Sequence, residues 1–175
     1  MEKQVKRENI YSGKVISVVR DDVVLDDGTK TIREVVLHNG GVCIALKDGD
    51  YYYMVRQYRY ALNKEMLEFP AGKIEKNENP YDAIKREVIE ETGYTAKNIK
   101  EFGYVIPTYG YCNEKIYLYF GEVDEHIGQK FDVDERLELE KYTFSQIKEM
   151  IKNGTIDDSK TIALMYHLQL EGIDD

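Results

Sequence analysis

The feature that most constrains this chain is a cluster of like charges near the end of one predicted helix. Glu87, Glu90 and Glu91 include pairs three and four residues apart, so they share one helix face. Repulsion at that spacing costs about 0.2–0.5 kcal/mol per pair, and the negative end of the helix dipole adds roughly 0.3–1 kcal/mol per charge. One interpretation is a solvated glutamate-rich face, because Lys85 and Arg86 lie close by. The other is a bound divalent cation, which takes several oxygen ligands and turns the repulsion into attraction.

The helix that carries these carboxylates has clear boundary signals. Asn79 suits the N-cap position, Pro80 suits the first helical position, and Gly93 favours a stop. Other stretches show β-rich alternation or turn residues such as Asp27-Gly28. Two further helices are predicted, over 143–152 (with 145 as an alternative start) and 159–170. Strands are predicted over 14–19, 22–28, 31–38, 42–47, 51–57, 101–106 and 115–123.

Length, charge and cysteine content exclude several classes of protein. The 175 residues are enough for one domain or for a domain with a small appendage, and 42% of them are hydrophobic. A net charge of −9 argues against a general nucleic-acid binder. Cys43 and Cys112 form neither a disulfide framework nor a zinc motif. The charged N-terminal residues are followed by no apolar run, so we expect no signal peptide, and the lack of 18 consecutive apolar residues predicts no transmembrane helix. We therefore expect a cytoplasmic protein with no nucleic-acid and no membrane partner.

The acidic helix and the loop before it resemble a known motif. Nine positions over 23 residues fit the Nudix box, G-x5-E-x7-R-E-U-x-E-E-x-G-U, in which U is a bulky apolar residue. Tyr94 in place of an aliphatic residue is a mild departure. The matching residues are Gly72, Glu78, Arg86, Glu87, Val88, Glu90, Glu91, Gly93 and Tyr94.

The resemblance to the Nudix family implies specific roles for the box residues. Glu87 and Glu91 would ligate Mg²⁺, with Mn²⁺ as an alternative ion, and Glu90 would support them. Arg86 with Glu78 would orient the carboxylates. The metal would be held against the pyrophosphate of a small-molecule nucleotide substrate.

The run RQYRYALNKEMLEFPAGKIE, residues 56–75, is similar to the ADP-ribose pyrophosphatase branch of that family. By this likeness the Ala71 carbonyl would be a further metal ligand. Arg59 would contact the phosphates or the terminal ribose, and Glu68 would lie in the site. The alternatives are that Arg59 belongs to an ion pair at the surface and that Glu68 is an exposed strand-end residue.

Other expected site residues lie outside the box. In the acidic loop 131–140, Glu135 aligns with the branch's functional glutamate and would accept the proton. Its neighbours Asp132 and Asp134, and a merely solvated loop, are the alternatives.

Further substrate contacts are expected from segments on either side of the box. Arg33 would lie near the nucleotide unless its role is structural. After the box, Glu114 is in place, but Tyr109 stands where the branch usually has proline. We expect Tyr109 to line the terminal ribose or base subsite and to broaden specificity.

These observations predict an α/β (α+β) Nudix fold, a mixed β-sheet sandwiched between helices. Residues 1–38 would form a small β-rich N-terminal region and 39–175 the Nudix hydrolase domain. The resemblance implies magnesium-dependent hydrolysis of ADP-ribose or a related nucleoside diphosphate sugar, in a homodimer. Alternatives are a Nudix hydrolase of other nucleoside diphosphate derivatives, such as dinucleoside polyphosphates, and a non-catalytic nucleotide-sensing Nudix module.

Overall fold

A computed structural model describes residues 1–129 and 137–174 of this protein, and its contacts divide the chain into two compact units. The first unit combines residues 1–40 with 106–115. The second combines residues 41–105 with those from 116 onward. The division into domains at residue 38 stays a prediction.

The first unit is built on a three-stranded antiparallel sheet in which β2 lies between its two chain neighbours. Val19, Asp21 and Val23 alternate along β2, so they lie on one face of the strand, and all three are buried. The sequence predicted a break near residue 21, but β2 runs through it because Asp21 is buried and paired with Arg7. The strands are β1 (Glu2–Ser12), β2 (Ile16–Leu25) and β3 (Lys30–His38).

Strand β1 was not predicted from the sequence. All eleven of its residues are exposed, so no buried apolar alternation marks it. Its backbone ladder to β2 is reinforced by charged side chains. Arg7 donates to the two carboxylate oxygens of Asp21 at 2.8 and 2.7 Å, and Gln4 adds a bond at 3.2 Å. Edge pairing and ionic contacts therefore hold β1 in place.

Residues 106–115 join the first unit through β3. The amide of Val36 donates to the carbonyl of Tyr111 at 2.7 Å, and the amide of Asn113 donates to the carbonyl of Val36 at 3.2 Å. The Asn113 side chain accepts from the His38 amide at 2.8 Å. This segment is therefore attached to β3 mainly by backbone hydrogen bonds.

The second unit has a seven-stranded mixed sheet. Its main path runs β10-β5-β4-β9-β8, with β6 paired to β5 and β7 paired to β4. The β4–β9 pair is parallel and the others are antiparallel. The strands are β4 (Gly41–Asp48), β5 (Tyr51–Arg59), β6 (Lys64–Glu68), β7 (Ala71–Lys73), β8 (Tyr94–Val105), β9 (Ile116–His126) and β10 (Leu137–Thr143).

Helices cover both faces of this sheet. Val42, Ile44 and Leu46 of β4 belong to the core cluster that also contains residues of α1. Cys43 and Ala45, which alternate with them, belong to the cluster with residues of α2 and α3. The helices are α1 (Pro80–Thr92), α2 (Phe144–Lys152) and α3 (Ser159–Leu170). The predicted helices and the mixed sheet between them are confirmed.

Candidate active site

The site is assembled where β7 meets helix α1. Backbone pairing of Gly72 with Val42 fixes β7 on the sheet. At the start of α1 the Asn79 side chain accepts from the amide of Tyr81 at 2.8 Å, and Pro80 occupies the first turn. The helix ends at Gly93, whose φ of +76° is a left-handed conformation that glycine adopts without strain. The local sequence thus sets both ends of the helix that carries the carboxylates.

Two carboxylates of α1 are buried beside β7. Glu87 is 8% exposed and Glu91 is 4% exposed. The amide of Ala71 donates to Oε2 of Glu91 at 2.9 Å. A Cβ atom on Gly72 would lie 1.8 Å from the carboxyl carbon of Glu87, so only glycine leaves that carboxylate its place. The backbone at 71–72 therefore forms a cradle for both carboxylates that are predicted to bind the metal.

Arg86 ties the acidic residues of the motif together. Its Nε and Nη2 donate to the two carboxylate oxygens of Glu78 at 2.9 and 3.0 Å. Its Nη1 donates to both Glu87 and Glu90 at 2.8 Å, and Nη2 also reaches the carbonyl of Lys73 at 3.1 Å. This geometry fits the predicted role of Arg86 and Glu78 in orienting the carboxylates. Their role in catalysis stays a prediction.

The same contacts shift two ionisation equilibria. The hydrogen bond that Arg86 donates to Glu78 raises the pKa of Arg86; burial opposes this shift, and the charge of Glu87 adds to it. The hydrogen bond from Arg86 in turn lowers the pKa of Glu78 below its ordinary value. Both partners are therefore held in their charged forms at neutral pH.

The donor set suits a hard divalent cation. Glu87 and Glu91 supply carboxylate oxygens from one helix face, next to the backbone of Ala71 and Gly72. Among residues 1–129 and 137–174, no three acidic, histidine or cysteine side chains form a group that would hold a metal by themselves. Magnesium usually takes one or two carboxylates and completes its shell with water and substrate phosphates. A pair of carboxylates without a third such ligand in the described part of the chain therefore fits Mg²⁺ better than it fits a structural metal.

A second ionic group lies on β5, β6 and α3. Arg59 donates from Nε and Nη2 to the two oxygens of Glu68 at 2.7 and 2.8 Å. The Lys160 ammonium also bonds to Glu68 and to Asp158. Glu68 is 4% exposed, so the alternative of an exposed strand-end residue does not describe it.

Opposing effects act on the pKa of Glu68. Burial raises it, but the hydrogen bond from Arg59 and the charges of Lys160 and Arg59 outweigh burial and lower it below the ordinary value. The Glu68 hydrogen bond raises the pKa of Arg59, and the charge of Glu91 contributes in the same direction. The charge of Glu91, a predicted metal ligand, therefore favours the protonated form of Arg59.

The remaining predicted site residues lie in the first unit or outside the described residues. Arg33 forms an ion pair with Glu2 across the N-terminal sheet. Glu114 lies 3.4 Å from Nδ1 of His38, and Tyr109 is 87% exposed. Glu135, with Asp132 and Asp134, lies outside the described residues. The substrate and proton-transfer roles of these residues stay predictions.

Sequence reasoning did not single out Lys160, which contacts Glu68, or Gln129, which contacts Glu91. Lys160 lies in a charged stretch that resembles a solvated helix start, and no local signal indicates its burial. Gln129 donates from its side chain to the carbonyl of Glu91 at 2.7 Å. A Cβ atom on Gly93 would lie 2.9 Å from the backbone nitrogen of Gln129. Besides the positive φ of Gly93, this close approach of the backbone is a second reason for glycine at that position.

Tyr94, the departure from the box, packs in an aromatic group. Its ring centroid lies 5.1 Å from that of Tyr53 and 4.8 Å from that of His126. The position therefore keeps the packing role of a bulky apolar residue.

Comparison with known proteins gives consistent matches. The NUDIX domain model matches residues 37–165. The chain is 38% identical to the methanol dehydrogenase activator of Bacillus methanolicus, over 97% of this chain and 94% of the relative. It is 35% identical, with the same coverage, to the ADP-ribose pyrophosphatase of Bacillus subtilis (strain 168). It is 29% identical to the GDP-mannose pyrophosphatase of Cronobacter sakazakii (strain ATCC BAA-894), over 98% of this chain and 95% of the relative.

The fold has a match among solved structures. The crystal structure of an ADP compounds hydrolase superposes with a TM-score of 0.85 at 18% identity, and the match covers 98% of this chain and 95% of that one. Within the described residues, no helix has the length and apolar character needed to cross a membrane. The family-model match, together with full-length relatives above 30% identity, shows that the chain belongs to the NUDIX domain family.

Proposed function

We propose that this chain hydrolyses the pyrophosphate bond of ADP-ribose, or of a related nucleoside diphosphate sugar, in the presence of Mg²⁺. The products are a nucleoside monophosphate and a sugar phosphate. The observation that carries the proposal is the pair of buried carboxylates, Glu87 and Glu91, set against the backbone of Ala71 and Gly72. A relative of 35% identity named ADP-ribose pyrophosphatase supports the choice of substrate.

Glu87, Glu91 and the Ala71 carbonyl would hold Mg²⁺, or Mn²⁺ as an alternative. When bound, the metal neutralises phosphate charge and lowers the pKa of its water. Arg86 keeps Glu87 and Glu90 in fixed positions, because one guanidinium nitrogen donates to both. Glu78 restrains the opposite edge of that guanidinium.

A water oxygen attacks one phosphorus, the bridging P–O bond breaks, and the water proton passes to a carboxylate. We assign that carboxylate to Glu135, with Asp132 and Asp134 as alternatives. Arg59 keeps 40% of its side chain exposed while Glu68 fixes its guanidinium, so it is suited to receive a phosphate or the terminal ribose. We assign further substrate contacts to Arg33, Tyr109 and Glu114.

The test compares ADP-ribose, GDP-mannose and diadenosine polyphosphates as substrates, with and without Mg²⁺. We expect metal-dependent release of AMP from ADP-ribose at the highest kcat/KM. A preference of more than about tenfold for diadenosine polyphosphates, roughly 1.4 kcal/mol of transition-state discrimination, would replace the substrate assignment. Binding without cleavage of any of these compounds would favour a nucleotide-sensing module.

A second candidate function comes from the relative named methanol dehydrogenase activator, which is 38% identical over 97% of this chain. We propose, as this second candidate, that the chain activates a methanol dehydrogenase. The test adds wild-type chain or Glu87→Gln to methanol dehydrogenase and follows alcohol oxidation. Stimulation by wild type alone would tie activation to the carboxylate site, and no stimulation by either would remove this candidate.

We also propose a homodimer in which the first unit contacts a second copy, in a cytoplasmic protein. The first unit exposes several apolar side chains, and β1 has no buried residue. The apolar side chains are Val5, Ile10, Tyr11, Val15 and Ile32. Light scattering at micromolar concentration should give twice the 20.4 kDa chain mass. A fully active monomer would refute the dimer.

A further inference from the structure

Lys160 is a buried cation that the motif of the family does not include. It is 9% exposed, although it occupies the first turn of α3. Its ammonium bonds to Glu68 and lies 2.9 Å from Oδ1 of Asp158. Buried lysines are rare unless paired, and here two carboxylates supply the pairing. The side chain therefore points away from solvent and toward strand β6.

Hydrogen bonds other than those of Lys160 hold the start of α3 next to strand β6. Asp158 caps the helix, accepting from the amide and the hydroxyl of Thr161 at 3.0 and 2.6 Å. The amide of Phe69 donates to the Thr161 hydroxyl at 2.9 Å. Consecutive residues of α3 thus bind consecutive residues of the chain at 68–69, immediately before the cradle of Glu87 and Glu91.

Glu68 has its two oxygens engaged by three donors. Arg59 donates to each oxygen, and Lys160 donates to Oε2 as well. A carboxylate held from two sides by fixed cations presents the Arg59 guanidinium in one orientation. Without Lys160, Glu68 would be a buried carboxylate paired only with a side chain that is 40% exposed.

We propose that Lys160 is a positioning residue: it holds Glu68, and through it the Arg59 guanidinium, in the geometry that receives the phosphates or terminal ribose of the substrate. This inference rests on the proposed function. Lys160 has too little exposed surface to bind substrate itself, so its effect passes through Glu68. Loss of such an interaction weakens substrate binding and changes KM more than kcat.

The chain offers a matched control on the same two segments. Lys64 of β6 forms an ion pair of 2.6 Å with Asp157, the neighbour of Asp158. Both side chains of that pair are 48% exposed, so its loss costs little. Lys64→Met therefore removes a lysine–aspartate pair between β6 and the start of α3 without touching Glu68.

The first experiment measures KM and kcat for ADP-ribose at saturating Mg²⁺. We expect Lys160→Met to raise KM at least about tenfold while kcat stays within about threefold. Lys160→Arg should recover most of the lost affinity, since it restores a cation to Glu68. Lys64→Met should match wild type. An unchanged KM in Lys160→Met, or an equal rise in Lys64→Met, overturns the inference.

The second experiment is a double-mutant cycle with Glu68→Gln. Lys160→Met alone removes one of the two cations that pair with the buried Glu68 carboxylate, and this loss lowers the free energy of unfolding. The double variant removes that charge, so it keeps the test available if the single variant fails to fold. If Lys160 acts through Glu68, adding Lys160→Met to Glu68→Gln leaves KM within about twofold of Glu68→Gln alone. Additive losses would show that Lys160 acts on the substrate by another route.

Calorimetric binding of ADP-ribose without added metal, combined with a cleavage assay at saturating Mg²⁺, separates the two proposals. Wild type that binds and cleaves ADP-ribose, with Lys160→Met equal to it in affinity, overturns the positioning role alone. Wild type that neither binds nor cleaves ADP-ribose overturns the proposed function, and the inference is then wrong as well.

Discussion

A Cβ atom on Gly72 would overlap the carboxylate of Glu87, with 1.8 Å to its carboxyl carbon and 2.1 Å to each oxygen. Those atoms are the far end of a flexible side chain, so the protein can relieve the overlap by moving them. The fold then survives while the carboxylate leaves its place. Glycine is therefore needed at this position to leave room for the Glu87 carboxylate, more than to allow a particular backbone conformation.

Gly72→Ala should fold and lose function. We expect the Mg²⁺ concentration for half-maximal activity to rise at least about tenfold, about 1.4 kcal/mol of metal affinity, because Glu87 is displaced. The melting temperature without metal should change little. The double variant with Glu87→Gln should be no worse than Glu87→Gln alone, since the displaced ligand is then already absent. Wild-type metal dependence in Gly72→Ala would contradict this reading of the cradle.

Glu87→Gln and Glu91→Gln should each reduce turnover by at least about a hundredfold, roughly 2.7 kcal/mol, with the fold intact. Each substitution removes one charge and preserves shape. Wild-type melting temperature should rise with Mg²⁺, because a ligand of the folded state stabilises it, and this rise should shrink in both variants. Glu149→Gln, on an exposed pair of α2, is the matched control. Near wild-type turnover in either site variant at saturating Mg²⁺ would remove its assigned role.

Arg86→Lys should behave as a severe substitution despite keeping the charge. The guanidinium donates to three carboxylates and one carbonyl, in a planar arrangement that an ammonium cannot reproduce. We expect the free energy of unfolding to fall by about 2 kcal/mol, the scale of a lost hydrogen bond to a charged group. Urea denaturation measures this loss, and a loss below about 0.5 kcal/mol would show that the network contributes little.

Glu68 gives stability a defined dependence on acidity. Its folded-state pKa lies below the ordinary value of 4.5. Its contribution is therefore present above about pH 4.5 and is lost as the pH falls through the lower, folded-state value. Between pH 6 and about pH 3, the free energy of unfolding should decline less steeply in Glu68→Gln than in wild type. Glu65→Gln, on the exposed neighbour in β6, should keep the wild-type slope. Equal slopes in all three proteins would exclude this contribution.

What the sequence predicted well is local along the chain. The bounds of α1 follow from Asn79, Pro80 and Gly93, and the shared face of Glu87 and Glu91 follows from helical periodicity. Nothing local marks the contact of Lys160 with Glu68, 92 residues away in the chain.

Strand β1 was missed for a different reason. Its residues are all exposed, so its pairing with β2 leaves no hydrophobic pattern to recognise. Pairing energy comes from the backbone and from ion pairs such as that of Arg7 with Asp21, and neither is visible in composition.

Tyr109 allows substrate choice to be tested apart from stability. Its side chain is 87% exposed, so it contributes little to packing, and Tyr109→Ala should change the free energy of unfolding by less than about 0.5 kcal/mol. A ring with a polar hydroxyl is suited to stack on a base or to bond a ribose, and proline at this position offers neither. We expect Tyr109→Pro and Tyr109→Ala to lower kcat/KM for the less favoured substrates more than for ADP-ribose, and so to narrow specificity.

The measurement of specificity is kcat/KM for ADP-ribose, GDP-mannose and diadenosine polyphosphates in wild type and both variants. Tyr58→Ala is the matched control, because Tyr58 is also an exposed tyrosine, at 51%, and its hydroxyl already donates to Asn63 at 2.7 Å. A narrowing in both Tyr109 variants, absent in the control, assigns the ring to substrate selection. Identical substrate ratios in wild type and Tyr109→Ala would mean that the ring lies outside the bound substrate, and the broad specificity expected from this residue would have to come from elsewhere in the chain.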